Sequence, residues 1–389
     1  MNAAARNERA PVNPAMLAWA RAQSGKTIEE VTARFSKIDS WERLESLPTV
    51  KQARELASFY NRSFLEFFRT TPPTLKQSAQ LPDFRMIRGA PDPHEQLGLK
   101  SIQQWAEAQR ENALDLLSEL GEQPKSIPKE FFSTTQTSAD EVANLTRNLI
   151  SFNFEEQAKI VYSKKDTIVN ILRQKIENFG VMVIKNSELQ TFKARGMCLA
   201  DFPLPVIVFG SESPGAQLFT LLHELAHIVL RQSGVIGYID KTTDKPIEKW
   251  CDQFAASFLM PTSEVIRQIG AKPQNPAQSI TDEQLLNFAK YFKVSTHSML
   301  IRLVHLGYVE ARYYWDIKKP QFDEDEKSYK FKGRSKYYGS RYKLSLGDFY
   351  TGLVLEAWST GKITNHNAAE YMGIKNISHI FDIRDNFHK

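Results

Sequence analysis

Cysteine is scarce in this 389-residue chain, where Cys198 and Cys251 are the two present. A disulfide framework is thereby excluded, and a reducing cytoplasm is the simpler expectation. Long apolar runs are missing as well. None approaches the roughly 20 residues needed to cross a bilayer, so no membrane span is expected. The opening MNAAARNERAPVNP lacks the apolar middle of a secretory signal. Neither sign of charge dominates: 50 Lys and Arg against 45 Asp and Glu leave a net +5, which permits acidic partners or nucleic acid without requiring them. No internal repeat is visible. What is present, 42 % hydrophobic and 24 % charged residues, is the composition of a soluble globular protein, long enough for two or three domains.

The N-terminal part reads as a bundle of short helices. Thr27-Ile-Glu-Glu30 and Thr49-Val-Lys-Gln52 have capping-box spacing. The helix after Thr49 is expected to run to FLEFF, before Thr71-Pro72-Pro73. Prolines between 72 and 93 then argue for a linker, followed by a helix over Leu99–Leu120 and a second proline-marked break. Ser138-Ala-Asp-Glu141 opens another helix, and a helix over 166–178 ends at Gly180, a left-handed cap. Here the period changes. VMVIK (181–185), the segment around Met197-Cys-Leu and VIVF (206–209) predict short strands. Helices follow to about residue 310, a charged tyrosine-rich surface loop is expected over 321–343, and 344–383 returns to helical spacing.

The chemistry concentrates in FTLLHELAHIVL, residues 219–230, behind a Ser213-Pro214 helix start. Leu218, Leu222, Leu225, Ala226 and Val229 make a buried stripe. His223 and His227, at i and i+4, project together from another face, at a separation that one metal ion bridges. Zinc on neutral imidazoles keeps a position open for water and lowers its pKa to roughly 7. Glu224, one step round the helix, is placed to take that water's proton. An ordinary amphipathic helix spells the same motif by chance, so a third ligand is needed.

The continuation H-x-x-G-x-x-H does not supply it, since Leu230 and Ser233 stand where glycine and histidine would be required. Downstream lies PIEKWCDQFAASFLMP, in which Ile247, Cys251, Phe254, Ala255 and Phe258 form a buried stripe. Glu248 can reach the metal from this helix, and Asp252, one turn on, can orient a ligand histidine through its second nitrogen. Two solvated surface acids are the bland alternative. Asp240 and Asp244 in the intervening loop are weaker ligand candidates.

FTLLHELAH and IEKWCDQFAASFLMP, with PVIVF (205–209) before them and VSTHSMLIRL (294–303) after, resemble the ImmA/IrrE-type metallopeptidases, a gluzincin-like group. LAWARAQSGKTIEEVTARF and the segment to Tyr60 resemble the XRE-type repressor module of its longer members, LPDFR (81–85) their junction, and VLEAWSTGKITNHNAAEYMGI their closing helical segment. The resemblance implies that His223, His227 and Glu248 bind zinc and that Glu224 is the general base. It also implies that Cys251, where the family more often has alanine, is a small buried residue and not a ligand. Characterised members cut helix-turn-helix repressors, which implies a protein substrate here.

The expected fold is α+β and mainly helical. A helix-turn-helix-type module spans 1–71, a linker and helical connector 72–135, and a zincin-like peptidase domain with a small sheet 136–315. A charged loop and helical segment complete the chain over 316–389. Tyr238, His297 and His305 are candidates for stabilising the oxyanion. Val206–Phe209 is a candidate edge strand for pairing with substrate. SYKFKGRSKYYGSRYK interleaves basic and aromatic residues, but DEDE (323–326) just upstream weakens any basic patch. DNA binding by the N-terminal module is doubtful, because about a helical turn is missing between Phe35 and Trp41 and Asp39, Glu42 and Glu45 would face phosphate. The expected partner is a helix-turn-helix repressor or a neighbouring-gene product. The competing readings are a regulator with an inactive peptidase fold and one half of a toxin–antitoxin or phage-defence pair.

Overall fold

The computed structural model describes residues 8–24, 26–60, 62, 64–71, 93–161, 167–232, 234–235, 245–328, 338–374 and 376–387. LPDFR, Tyr238, Asp240, Asp244 and most of the basic–aromatic stretch lie outside the described residues.

Four short helices open the chain: α1 (Pro14–Gln23), α2 (Ile28–Arg34), α3 (Ile38–Glu42) and α4 (Val50–Phe59). Both expected capping boxes form. The Thr27 hydroxyl accepts from the Glu30 N–H at 3.2 Å while the Glu30 carboxylate accepts from the Thr27 N–H at 2.8 Å, and Thr49 and Gln52 repeat the pattern. Leu17, Val31, Ile38, Trp41, Leu56, Tyr60 and Phe67 fill a core of their own. FLEFF does not continue α4. It forms a separate 3₁₀ turn, Phe64–Phe68, that turns Phe67 into this core.

The connector helix α5 (Pro93–Leu120) starts earlier than its apolar pattern suggests, at a proline that suits a first helical turn. Next come α6 (Ala139–Leu149), α7 (Phe154–Lys159) and α8 (Thr167–Phe179). Gly180, at φ 112°, stops α8 as expected. Strands β1 (Met182–Lys185), β2 (Gly196–Leu199) and β3 (Val206–Phe209) lead into α9 (Pro214–Val229). The two-residue β4 (Gly234–Val235) and then α10 (Lys245–Leu259), α11 (Thr262–Ile269), α12 (Asp282–Phe292) and α13 (Thr296–His305) follow. A π-helical segment, Tyr313–Lys318, runs into α14 (Lys319–Ser328), and α15 (Tyr338–Ser359), α16 (Asn365–Tyr371) and α17 (His379–Phe387) close the chain. Residues 319–328 and 338–343 are therefore helical, not loop. The Glu, Lys and Gln content of 319–328 favours helix where the preceding π-helical turn supplies the nucleus.

The sheet order is β1-β3-β2-β4, with β3 parallel to β1 and antiparallel to β2. The expectation that β3 is an edge strand fails: it pairs on both sides. All four of its residues are buried, and a continuous apolar run of this kind suits a strand covered on both faces.

Alternation sorts the sheet into two cores. Val183, Cys198, Ile207 and Phe209 face α8, α9 and α10. Met182, Ile184, Met197, Leu199, Val206 and Val208 face the opposite way, against Leu99, Leu116 and Leu117 of α5 and Leu353, Val354 and Ala357 of α15. A buried ion pair on α8 fastens α15 to this assembly. Arg173 donates to the Leu344 carbonyl at 2.6 Å, while Glu177 accepts from the N–H groups of Asp348 at 3.0 Å and Phe349 at 3.2 Å. The two side chains thus satisfy both halves of α15 at its break, Gly347, whose φ of 83° requires glycine and where any Cβ would run into Glu177 Oε1.

Six apolar side chains on that second face are worth roughly 1.5–3 kcal/mol each when covered, as much as the net stability of a whole domain. A fragment comprising residues 136–315 lacks both covering helices. It is expected to aggregate or to bind a hydrophobic dye such as ANS, whereas the full chain does neither. A monomeric fragment with a cooperative melt and no dye binding would show that the cover is dispensable.

Candidate metal centre

Helix α9 is apolar nearly all round, which places it in the middle of the domain. Its N-terminus has Pro214 at the first position, but Ser213 makes no side-chain cap bond. The first turns are tied down differently. Gln217 donates to the Glu212 carbonyl at 2.5 Å, and the buried Thr220 hydroxyl donates to Glu212 Oε2 at 3.0 Å. Arg195 pairs with the other Glu212 oxygen at 3.3 Å.

His223, Glu224 and His227 are 1 %, 0 % and 3 % exposed, so all three polar side chains sit inside the protein and not on a solvated face. Helix α10 packs along α9 and brings its acids to the histidines. Glu248 Oε2 lies 3.1 Å from His223 Nε2 and its Oε1 lies 3.2 Å from His227 Nε2, while the two Nε2 atoms are 3.2 Å apart. Asp252 Oδ1 is 2.9 Å from His223 Nδ1. Because a carboxylate only accepts, Asp252 favours a proton on Nδ1, the tautomer in which Nε2 is the nitrogen that can bind a cation.

Burial pushes the His227 pKa down, against Glu248, so its ring is held neutral. Burial pushes the Glu248 carboxyl up, but its contacts with His223 and His227 outweigh this and hold it well below the ordinary carboxylate range. A half-buried carboxylate and two buried imidazole nitrogens therefore converge, an arrangement that a cation satisfies. Four ligands about 2.0–2.1 Å from a zinc ion at tetrahedral angles stand about 3.3 Å apart. The separations of 3.1–3.2 Å here are close to that figure, each ring facing its own Glu248 oxygen.

Cys251 is the other donor nearby. One donor atom each of His223, His227 and Cys251 lies within 4.8 Å of the others. Glu248 is closer to both rings, and its charge is already developed. The Cys251 thiol is pushed well above its ordinary value by burial and by the charges of Glu248 and Asp252, so without a cation it is a neutral S–H. Of the two donors, Glu248 is therefore the one nearer the rings and already ionised.

Glu224 points away from the ligand line and toward β2. Gly196 makes room for it: a Cβ there would lie 2.5 Å from Glu224 Oε1 and 2.6 Å from Thr220 Cγ2. A glycine inside a strand marks such a close approach, and this was the one signal in sequence that could have found Gly196. Nothing in sequence marked Glu212, Thr220 or Arg195. Among the candidates for the oxyanion, His297 bonds Tyr314 Oη at 3.1 Å and stacks on Phe322 with ring centres 4.6 Å apart. Burial, with the charges of Arg302 and Lys249, pushes the His305 pKa down, and Asp252 opposes. Tyr238 lies outside the described residues.

Residues 176–304 match the family model described as the IrrE N-terminal-like domain, Peptidase_M78. The matched stretch runs from α8 to α13 and takes in the sheet, α9 and α10. No curated protein matches the chain. The match supports the ImmA/IrrE resemblance and a peptidase-type fold over that stretch. The N-terminal and C-terminal helices lie outside it.

Gly196→Ala is expected to leave the metal content unchanged, because no ligand touches Gly196, while overpacking costs about 1–3 kcal/mol of stability. Any hydrolysis that depends on Glu224 should fall by about 100-fold, the order of effect of a 1 Å misplacement. Metal analysis, a thermal melt and a turnover assay on one preparation check this. Wild-type turnover in the variant would show that Gly196 does not position Glu224.

Proposed function

We propose that this protein is a zinc-dependent endopeptidase that cuts a regulatory protein, of the helix-turn-helix repressor or antitoxin type. The observation that carries this reading is the convergence of His223, His227 and Glu248 to 3.1–3.2 Å with the buried Glu224 beside them. His223, His227 and Glu248 would hold the zinc. Bound there, zinc supplies a Lewis acid that polarises a carbonyl and brings the pKa of water down to roughly 7.

The remaining work falls to the chain's own residues. Glu224, walled in by Gly196 and Thr220, takes the proton of the attacking water and returns it to the departing amine nitrogen. Asp252 keeps His223 in the Nδ1–H tautomer, in which Nε2 is the nitrogen that would hold the metal. The low dielectric around the buried side chains of α9 strengthens each of these interactions.

A neighbouring-gene repressor offered as substrate tests the assignment. Glu224→Gln should lower its cleavage by at least about 100-fold while zinc content and melting temperature stay near wild type, since the amide keeps the shape but cannot take the proton. Cleavage at the wild-type rate would remove Glu224 from the mechanism.

The N-terminal helices are proposed to make protein contacts and not to grip DNA. Helix α3, where a recognition helix would stand, is five residues long, turns Ile38 and Trp41 into the core and holds Arg21 through Glu42 at 2.8 and 2.9 Å. A reading helix must present several side chains to the major groove. In a gel-shift titration at physiological salt, the full chain should bind its own upstream region no more tightly than random duplex. Selective, tight binding would put the regulator reading first.

A further inference from the structure

We propose that Cys251 is a fourth protein ligand to the zinc, competing with water for the remaining position, so that the site has a closed state as well as an open one. This rests on the zinc site proposed above. Helix α10 carries Glu248 and Cys251 three residues apart, hence on one face and one turn along. The same face therefore delivers two donors to the histidine pair: the carboxylate at 3.1–3.2 Å and the thiol within 4.8 Å of a nitrogen on each ring.

In a tetrahedral site with sulfur about 2.3 Å and nitrogen about 2.0–2.1 Å from zinc, sulfur and nitrogen stand about 3.6 Å apart. Closing the gap takes about 1 Å, less than a sulfur moves in one hop between staggered χ1 rotamers. Cys251 is fully buried at 0 % exposure, between α9 and α10, and it is the one soft donor in the cluster. Thiolate attracts zinc more strongly than oxygen donors do. On binding, the S–H proton leaves to solvent as the S–Zn bond forms, and no electron changes hands. Four protein ligands make the closed shell of a structural site, whereas three leave the opening that hydrolysis needs. The thiol is therefore a built-in occupant of the position that substrate and water require.

X-ray absorption at the zinc edge of the full-length protein, loaded with zinc alone, decides the matter. The expected result is a sulfur scatterer at about 2.3 Å beside nitrogen and oxygen at about 2.0–2.1 Å. In Cys251→Ala the sulfur should vanish while zinc is retained, and Cys251→Ser repeats the loss if the smaller side chain compromises folding. His227→Ala should lose zinc. Zinc bound by nitrogen and oxygen alone in the wild type overturns the Cys251 assignment and leaves the peptidase reading standing, as does a sulfur shell that persists in both Cys251 variants. Failure of the wild-type protein to hold zinc overturns both.

Discussion

Two imidazoles and a carboxylate within 3.2 Å of one another form an arrangement that neither α9 nor α10 holds alone. Each would be strongly unfavourable if simply buried, because desolvating a carboxylate costs several kcal/mol unless something compensates. The compensation comes from the partner helix, and it is available only if the apolar faces of α9 and α10 pack closely. Leu222, Leu225, Phe254, Ala255 and Phe258 provide that contact. The polar centre and the hydrophobic layer are thus one constraint: loosening the layer separates the three side chains, and charge left unpaired at the centre would push the layer apart.

The sheet extends the same constraint outward. Its inner face carries α9, and the backbone of Gly196 in β2 comes close enough to set where the Glu224 carboxyl can lie. Its outer face is covered by α5 and α15, which come from sequence on either side of the matched peptidase stretch. The Arg173–Glu177 pair then links α8 to the break in α15 at Gly347, so the C-terminal segment is fastened to the helix that precedes β1. Elements far apart in sequence are in this way packed onto the sheet that carries Gly196.

The N-terminal helices contrast with this. They own a separate core built on Trp41, Tyr60 and Phe67. Their shortest helix spends its apolar residues on that core and its acid on Arg21. What is left on its surface is Asp39 and Ser40, and an acid there opposes a phosphate backbone.

Local pattern determined much of this protein. The capping boxes at Thr27 and Thr49, the stop at Gly180, the three strands and the two helices bearing His223, His227, Glu248 and Asp252 are all written in spacing of 2, 3 or 4 residues, because caps, strands and helix faces are set by near neighbours. Other features depend on residues far apart in the chain. That β3 lies inside the sheet, that Gly196 fits against Glu224 and that Glu212 holds Thr220 and Arg195 are contacts between elements. So is the way the thiol of Cys251 approaches the histidine pair: sequence places it on a buried stripe, and only the crossing of α10 over α9 decides what the stripe faces. Periodicity states which side of a helix is apolar, but the neighbour on that side is chosen by the packing of the whole chain.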